Sequence, residues 1–168
     1  MSSSNPYQAP RAELLDPEDP AEAELATRSQ RFGAALLDLV VGLCFGIPVM
    51  MALGLWEYVK HGRPAPTSLT MLSALLGFVF FVLAHGYFLK QNGQTIGKKL
   101  VGVRIADLDG EVPSFGRLIG LRYLPISLVT LIPALGQLLP LIDVLFIFRS
   151  DRRCVHDLIA GTKVVRAE

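Results

Sequence analysis

Residues 31–58, RFGAALLDLVVGLCFGIPVMMALGLWEY, form a membrane-length apolar stretch that opens on one charge and encloses another. Arg31 stands at its start, Asp38 lies inside it, and the next charged residue is Glu57. Seven residues is close to two helical turns, so a helix here puts Arg31 and Asp38 on one face, about 10 Å apart along the axis. A carboxylate within a spanning helix costs roughly 2.5–3.5 kcal/mol on insertion scales, and it usually faces a partner or a water-filled cavity. Any function is therefore to be sought first at Asp38.

The same segregation of apolar residues recurs along the chain. Residues 68–89, SLTMLSALLGFVFFVLAHGYFL, contain no Asp, Glu, Lys or Arg, and a third apolar block from about Leu118 to Phe148 is interrupted by Pro125, Pro133, Gly136 and Pro140. The 168 residues are 51% hydrophobic with a mean hydropathy of +0.44. Blocks of this length and purity predict an all-α, multi-pass membrane protein. Trp56 and Tyr58 suit an aromatic belt at the far end of the first helix, which is expected to run from about Ser29 to Tyr58 with Pro48 mid-span.

The polar segments set the topology. Residues 1–27, rich in Pro, Ser, Ala and Glu, read as a disordered acidic leader with no basic region and apolar core of a signal peptide. Residues 90–122 carry Lys90, Lys98, Lys99, Arg104, Arg117 and Arg122, whereas the turn at 61–68 offers Arg63 after Lys60. Positive charge favours the cytoplasmic side, which places the leader and the 90–122 segment inside. The tail from Arg149 is also basic, so the third block should cross twice or dip in and return. Ser114 to Phe148 is 35 residues, while two full spans need about 40. Two short helices are expected, about 114–132 and 136–148, turning at residues 133–136, with the second tilted or re-entrant; a three-span arrangement with the tail outside is the alternative. Val101, Val103 and Ile105 alternate with Gly102, Arg104 and Ala106, a strand period. Residues 162–166, TKVVR, form a second candidate strand, and pairing of the two on the inner face is expected.

Taken in order, the Arg at the mouth of the first helix, the Asp two turns in, GQTIGKKLVGVRI after the second helix and the terminal HDLIAGTKVV resemble the RDD family of bacterial membrane proteins. The resemblance covers about residues 28–166. It implies a multi-pass protein of the bacterial inner membrane, and it matches the family's arginine to Arg31 and its first aspartate to Asp38. The second aspartate is either Asp143, inside the last apolar block, or Asp157 in the His156-Asp157 pair. The motif residues carried over are Gly93, Gln94, Thr95, Gly97, Lys98, His156, Asp157, Gly161 and Thr162. For some members a cation/proton exchange activity has been proposed, and that is what the resemblance implies about function.

From the residues themselves, Arg31, Asp38 and Asp143 are candidates for an intramembrane ion site, since a desolvated carboxylate has a raised pKa and a nearby arginine opposes the rise. His85, alone in the second block, is a candidate proton relay. The bland account is that these charges fix helix packing, making the protein a non-transporting scaffold or assembly partner. Gly93 to Lys99 is not a phosphate loop, because the glycine spacing is one residue short and a Lys replaces the magnesium-binding Ser or Thr. His61, His85 and His156 fall on separate segments without metal-ligand spacing, and Cys44 and Cys154 read as free thiols. Neither a metal nor a cofactor is expected, and no catalytic constellation points to an enzyme. A net charge of +1 argues against nucleic acid, and the expected partners are the bilayer, a monovalent cation and the proton. Gly42, Gly46 and Gly54 permit close packing within the chain or in a homo-oligomer.

Overall fold

Thr27 and Gln30 begin the first helix with a reciprocal cap. The Thr27 hydroxyl accepts from the Gln30 amide at 3.2 Å, and the Gln30 side chain accepts from the Thr27 amide at 2.9 Å. In this computed structural model, which describes residues 24–132 and 135–167, helix α1 then runs Arg28–Ala52. The expected acidic leader lies outside the described residues except for its last four, as do Pro133 and Ala134 of the expected turn. Pro48 lies inside α1, and the helix breaks only at Leu53-Gly54, before the short α2 (Leu55–Lys60). Helix α3 spans Thr67–Asn92. With 25 and 26 residues, α1 and α3 are long and apolar enough to cross a membrane. Their apolar side chains, among them Phe32, Leu39, Leu75 and Leu83, point outwards and are exposed. The two helices touch midway, where Phe45 stacks on Phe80 with ring centroids 4.1 Å apart.

The turn out of α3 explains why the segment GQTIGKK has its composition. Gly93 ends α3 at φ +64, and a Cβ there would collide with the Ile105 carbonyl oxygen. In return the Ile105 amide donates to Gly93 O at 2.8 Å, and Gln94 Nε2 donates to Val103 O at 2.9 Å. Thr95 caps α4 (Ile96–Val101) by accepting from the Lys98 amide at 3.3 Å. Gly97 sits hard against α1, where a Cβ would strike the Ala34 carbonyl oxygen and the Asp38 carboxylate. Only a glycine lets α4 seat there.

Strand β1 (Val103–Asp107) pairs antiparallel with β2 (Thr162–Arg166). The expected pairing is therefore present, with Ile105 opposite Val164 and Val103 opposite Arg166. The leader's last residues extend this ribbon: Leu25 bridges Val165, the Ala26 amide donates to Val164 O at 3.0 Å, and Arg166 N donates to Glu24 O at 2.9 Å. Two five-residue strands are marginal alone. Their apolar face is buried with Ala26, Ala34, Leu89 and Leu118 in the core, so the sheet is held against the adjoining ends of α1 and α3.

The broken third block forms two helical pieces close to those expected. The first comprises α5 (Phe115–Arg117), a π-helical turn (Leu118–Tyr123) and α6 (Leu124–Val129). The second is α7 (Leu135–Leu145), followed by a 3-10 turn (Phe146–Phe148). Pro125 accounts for the π turn: its ring crowds the carbonyl four residues back and it has no amide to donate, so the helix widens just before it. Helix α8 (Val155–Ala160) leads into β2.

Candidate functional site

Asp157 is completely buried at the third position of α8, where its carboxylate closes the first turn by accepting from the Cys154 amide at 3.1 Å. Two guanidiniums converge on it. Arg31 from α1 donates to Oδ2, and Arg122 from the π turn donates to Oδ1. The Thr162 hydroxyl accepts from Arg122 Nη1 at 2.5 Å and lies 3.1 Å from Oδ1, to which it donates. Arg117 joins the same piece to the tail by donating to the Ala160 and Gly161 carbonyls at 2.7 and 3.0 Å. One buried carboxylate thus ties the first helix, the π turn and β2 into a clamp. Burial alone would raise the pKa of Asp157. The Arg122 and Arg31 charges outweigh burial and hold the carboxyl well below the usual carboxylate range.

Beside the clamp lies a second pair. His156 Nδ1 is 2.6 Å from Asp143 Oδ2, and the His156 amide donates to Asp143 Oδ1 at 3.1 Å. The opposite ring nitrogen, Nε2, is 3.0 Å from Arg122 Nη2. A guanidinium can only donate, so Nε2 accepts, the proton sits on Nδ1 and the ring is neutral. Burial, then the Arg122 charge, push the His156 pKa below the usual imidazole range against the pull of Asp143. The result is a continuous chain of contacts from Asp143 through His156, Arg122 and Asp157 to Arg31. It flanks a cavity of about 120 Å³ whose lining includes Arg31, Lys98, Arg122, Asp143, Cys154 and His156.

Asp38 lies apart from this chain. Its Oδ2 accepts from the Thr95 hydroxyl at 2.5 Å and its Oδ1 from the Gly97 amide at 2.8 Å, so it fastens α4 to α1. His85 Nδ1 accepts from the Ile96 amide at 3.1 Å, which leaves its proton on Nε2. The 3.9 Å approach of His85 Nδ1 to Asp38 is therefore not an ion pair.

The four residues expected to form one ion site thus fall into separate places. Arg31 and Asp143 line the cavity, while Asp38 and His85 belong to the α4 attachment. Arg31 and Asp38 share a helix face as expected, but Arg31 pairs with Asp157, 126 residues away. Gly93, Gln94, Thr95 and Gly97 shape the turn, Lys98 is among the residues lining the cavity, Asp157 and Thr162 meet the clamp arginines, and the Gly161 carbonyl accepts from Arg117. Arg122, read in the sequence only as one of the basic residues of the 90–122 segment, is 1% exposed and paired with Asp157. Its signal was Pro125, three residues on in a helical segment. Cys154 also went unassigned, and its sulfur lies 3.7 Å from Arg31 Nη2.

The ligand atoms of Asp143, Cys154 and His156 lie within 4.8 Å of one another, close enough to share a metal. The surroundings suit hydrogen bonding better. Burial pushes the Cys154 thiol up to about 11, whereas a metal needs the thiolate, and Arg31 and Arg122 would repel a cation.

An uncharacterized protein of Haemophilus influenzae is 27% identical over 158 residues, covering 94% of this chain and 88% of its own length. The uncharacterized protein YckC of Bacillus subtilis is 34% identical over 138 residues, 82% of each chain. No solved structure matches the chain. The two candidate membrane helices and these bacterial relatives suggest a membrane location. The pattern of the RDD family matches residues 25–161, from the strand-like segment before α1 through the Arg31–Asp157 clamp to Gly161, and the chain belongs to that family.

Proposed function

We propose that this is a four-helix protein of the bacterial inner membrane, with both termini cytoplasmic, that exchanges a small ion against protons through the cavity beside the clamp. The membrane assignment is supported by the exposed apolar faces of α1 and α3 and by the concentration of Lys and Arg at the sheet end. An eleven-residue α7 is about 16 Å long, which suits a segment that dips in and returns rather than a full span.

The observation that carries the exchange reading is His156, a neutral imidazole between Asp143 and Arg122 on the wall of an ion-sized space. A proton taken at Nε2 removes the acceptor for Arg122 Nη2, so protonation and the charge in the cavity are coupled. The test is proton flux in liposomes carrying a pH-sensitive dye, with sodium, potassium, lithium and their chloride, nitrate and gluconate salts added in turn. Ion-dependent proton movement in the wild type, lost in His156→Gln at matched reconstitution, supports exchange. Silence of folded protein with every salt defeats it.

A scaffold reading is favoured by a different observation: Asp157 and Asp38 are saturated by partners from distant elements, as residues that only hold a fold would be. On that reading substitutions at either position lower accumulation, and there is no flux to lose.

A further inference from the structure

We propose that the corner between the end of α3 and α4 seats the headgroup of an anionic phospholipid from the surrounding leaflet. This seat presupposes that α3 crosses the bilayer, as proposed above, and it is independent of ion exchange. Depth is set by α3. Its 26 residues are about 39 Å long against an apolar core of about 30 Å, so a centred α3 extends by about three residues at each end. Lys90, Gln91 and Asn92 are those residues at one end, and Tyr87 and Phe88 stand at the boundary. Helix α4 is held at the same depth, because Lys99 Nζ lies 4.1 Å from the centroid of the Phe88 ring. Beside Lys99, Leu100 is 70% exposed, and Tyr87 is exposed to the same degree. At the bilayer boundary such a leucine enters the acyl layer while the neighbouring lysine reaches the headgroups.

Charge selects the lipid. Lys90, Lys98, Lys99 and Arg104 fall within residues 90–104, and the chain holds no Asp or Glu between Glu57 and Asp107. None of these four cations is in an ion pair among the described residues. The carboxylate in contact with α4 is Asp38, which is taken by the Thr95 hydroxyl and the Gly97 amide. Lys98 lines the cavity beside the clamp and is no part of the seat.

Lys99 and Arg104 instead line one open groove, whose polar walls are Gln91, Asn92 and Gln94 and whose described lining includes no acidic side chain. Of the acids near it in the chain, Asp107 is engaged in its own turn, accepting from the Asp109 and Glu111 amides, and Glu168 lies outside the described residues. Two cations and side-chain amides next to exposed apolar residues fit a phosphodiester that carries acyl chains. A soluble phosphate would engage the cations and leave Leu100 and Tyr87 uncovered.

The experiment is quenching of tryptophan by brominated lipid in the full-length protein, reconstituted in mixtures of phosphatidylcholine and phosphatidylglycerol with either lipid brominated. Two reporters are compared: the native Trp56, in α2 beyond the far end of α1, and a Leu100→Trp variant in a Trp56→Phe background. One basic residue beside an anionic lipid contributes about fivefold in affinity, so the Leu100→Trp reporter should favour phosphatidylglycerol by about fivefold or more. Trp56 should stay within about twofold of no preference. Adding Lys99→Gln and Arg104→Gln together should bring the Leu100→Trp preference below about twofold, while brominated phosphatidylcholine still quenches and shows that α4 remains at the bilayer. Equal preference at the two reporters overturns the seat, as does a preference that survives the double substitution. Loss of the preference on adding glycerol phosphate also overturns it and makes the groove a site for a soluble phosphate ester. Quenching at Trp56 with none at Leu100→Trp defeats the seat and leaves the membrane reading standing. No quenching at either reporter by either lipid defeats both.

Discussion

Replacing Asp157 by Asn removes one charge and leaves two guanidiniums buried without it. Arg31 and Arg122 are at most 9% exposed, so water cannot replace the lost carboxylate. Breaking a buried ion pair by deleting one partner costs about 3–5 kcal/mol, and the new amide also turns a donor toward donors. A value of about 4 kcal/mol corresponds to roughly a thousandfold rise in the open population. Cys154 reports that opening: its sulfur is buried against Arg31, and in a Cys44→Ser background it is the remaining thiol. Maleimide labelling of Cys154 in detergent-solubilised Asp157→Asn should accelerate by about a thousandfold over the same background with Asp157 intact. The triple variant Arg31→Met, Asp157→Leu, Arg122→Met removes the charges together and should label within about tenfold of wild type, because the cost lies in orphaned charge rather than in the lost pair. The reasoning is refuted if Asp157→Asn changes labelling by less than about threefold, or if the triple variant labels as fast as the single one.

Three further outcomes are expected. Gly97→Ala should lift α4 from α1 at a cost of about 1–3 kcal/mol, seen as earlier unfolding in a mixed-micelle denaturation series; an unchanged midpoint would mean that the close approach to Ala34 is not required. Asp38→Asn keeps one acceptor oxygen of two, so it should lose about 1 kcal/mol and retain whatever ion flux the wild type shows; loss of flux from an equally stable variant would return Asp38 to the pathway. Thermal stability should fall as pH drops through about 6.5. The folded His156 resists a proton that the unfolded one accepts, so the unfolded state binds more protons in that window, and His156→Gln should flatten the slope there. Asp157 acts in the same direction at lower pH: its contribution is complete above about pH 4 and is lost only below it.

The long helices were legible because their signal is local: long apolar runs, broken in the body of α1 by Asp38 alone, decide α1 and α3 whatever surrounds them. The strand pair was legible for the same reason, since Val103 and Ile105 alternate with polar or small neighbours. The clamp was not. Arg31 and Asp38 share a face of one helix, and nothing in that spacing shows that Gly97 will bring α4 into the gap and take Asp38 for itself. Arg122 reads as one basic residue among six in a basic segment, and its burial depends on the π turn and on a carboxylate supplied by α8. Pairings between residues 126 and 35 positions apart have no counterpart in periodicity or composition.

That separation also orders events at the ribosome. Arg31 is made with α1 while Asp157 has yet to be made, and the edge at Leu25 and Ala26 waits equally long for β2. Throughout synthesis the nascent protein carries an unanswered guanidinium at the mouth of its first helix. The apolar helices can form one after another, but the clamp can close only when the tail turns back and Asp157 reaches the two arginines. Without the tail both guanidiniums would stand without the carboxylate that offsets them, so the burial of two arginines rests on a residue far along the chain.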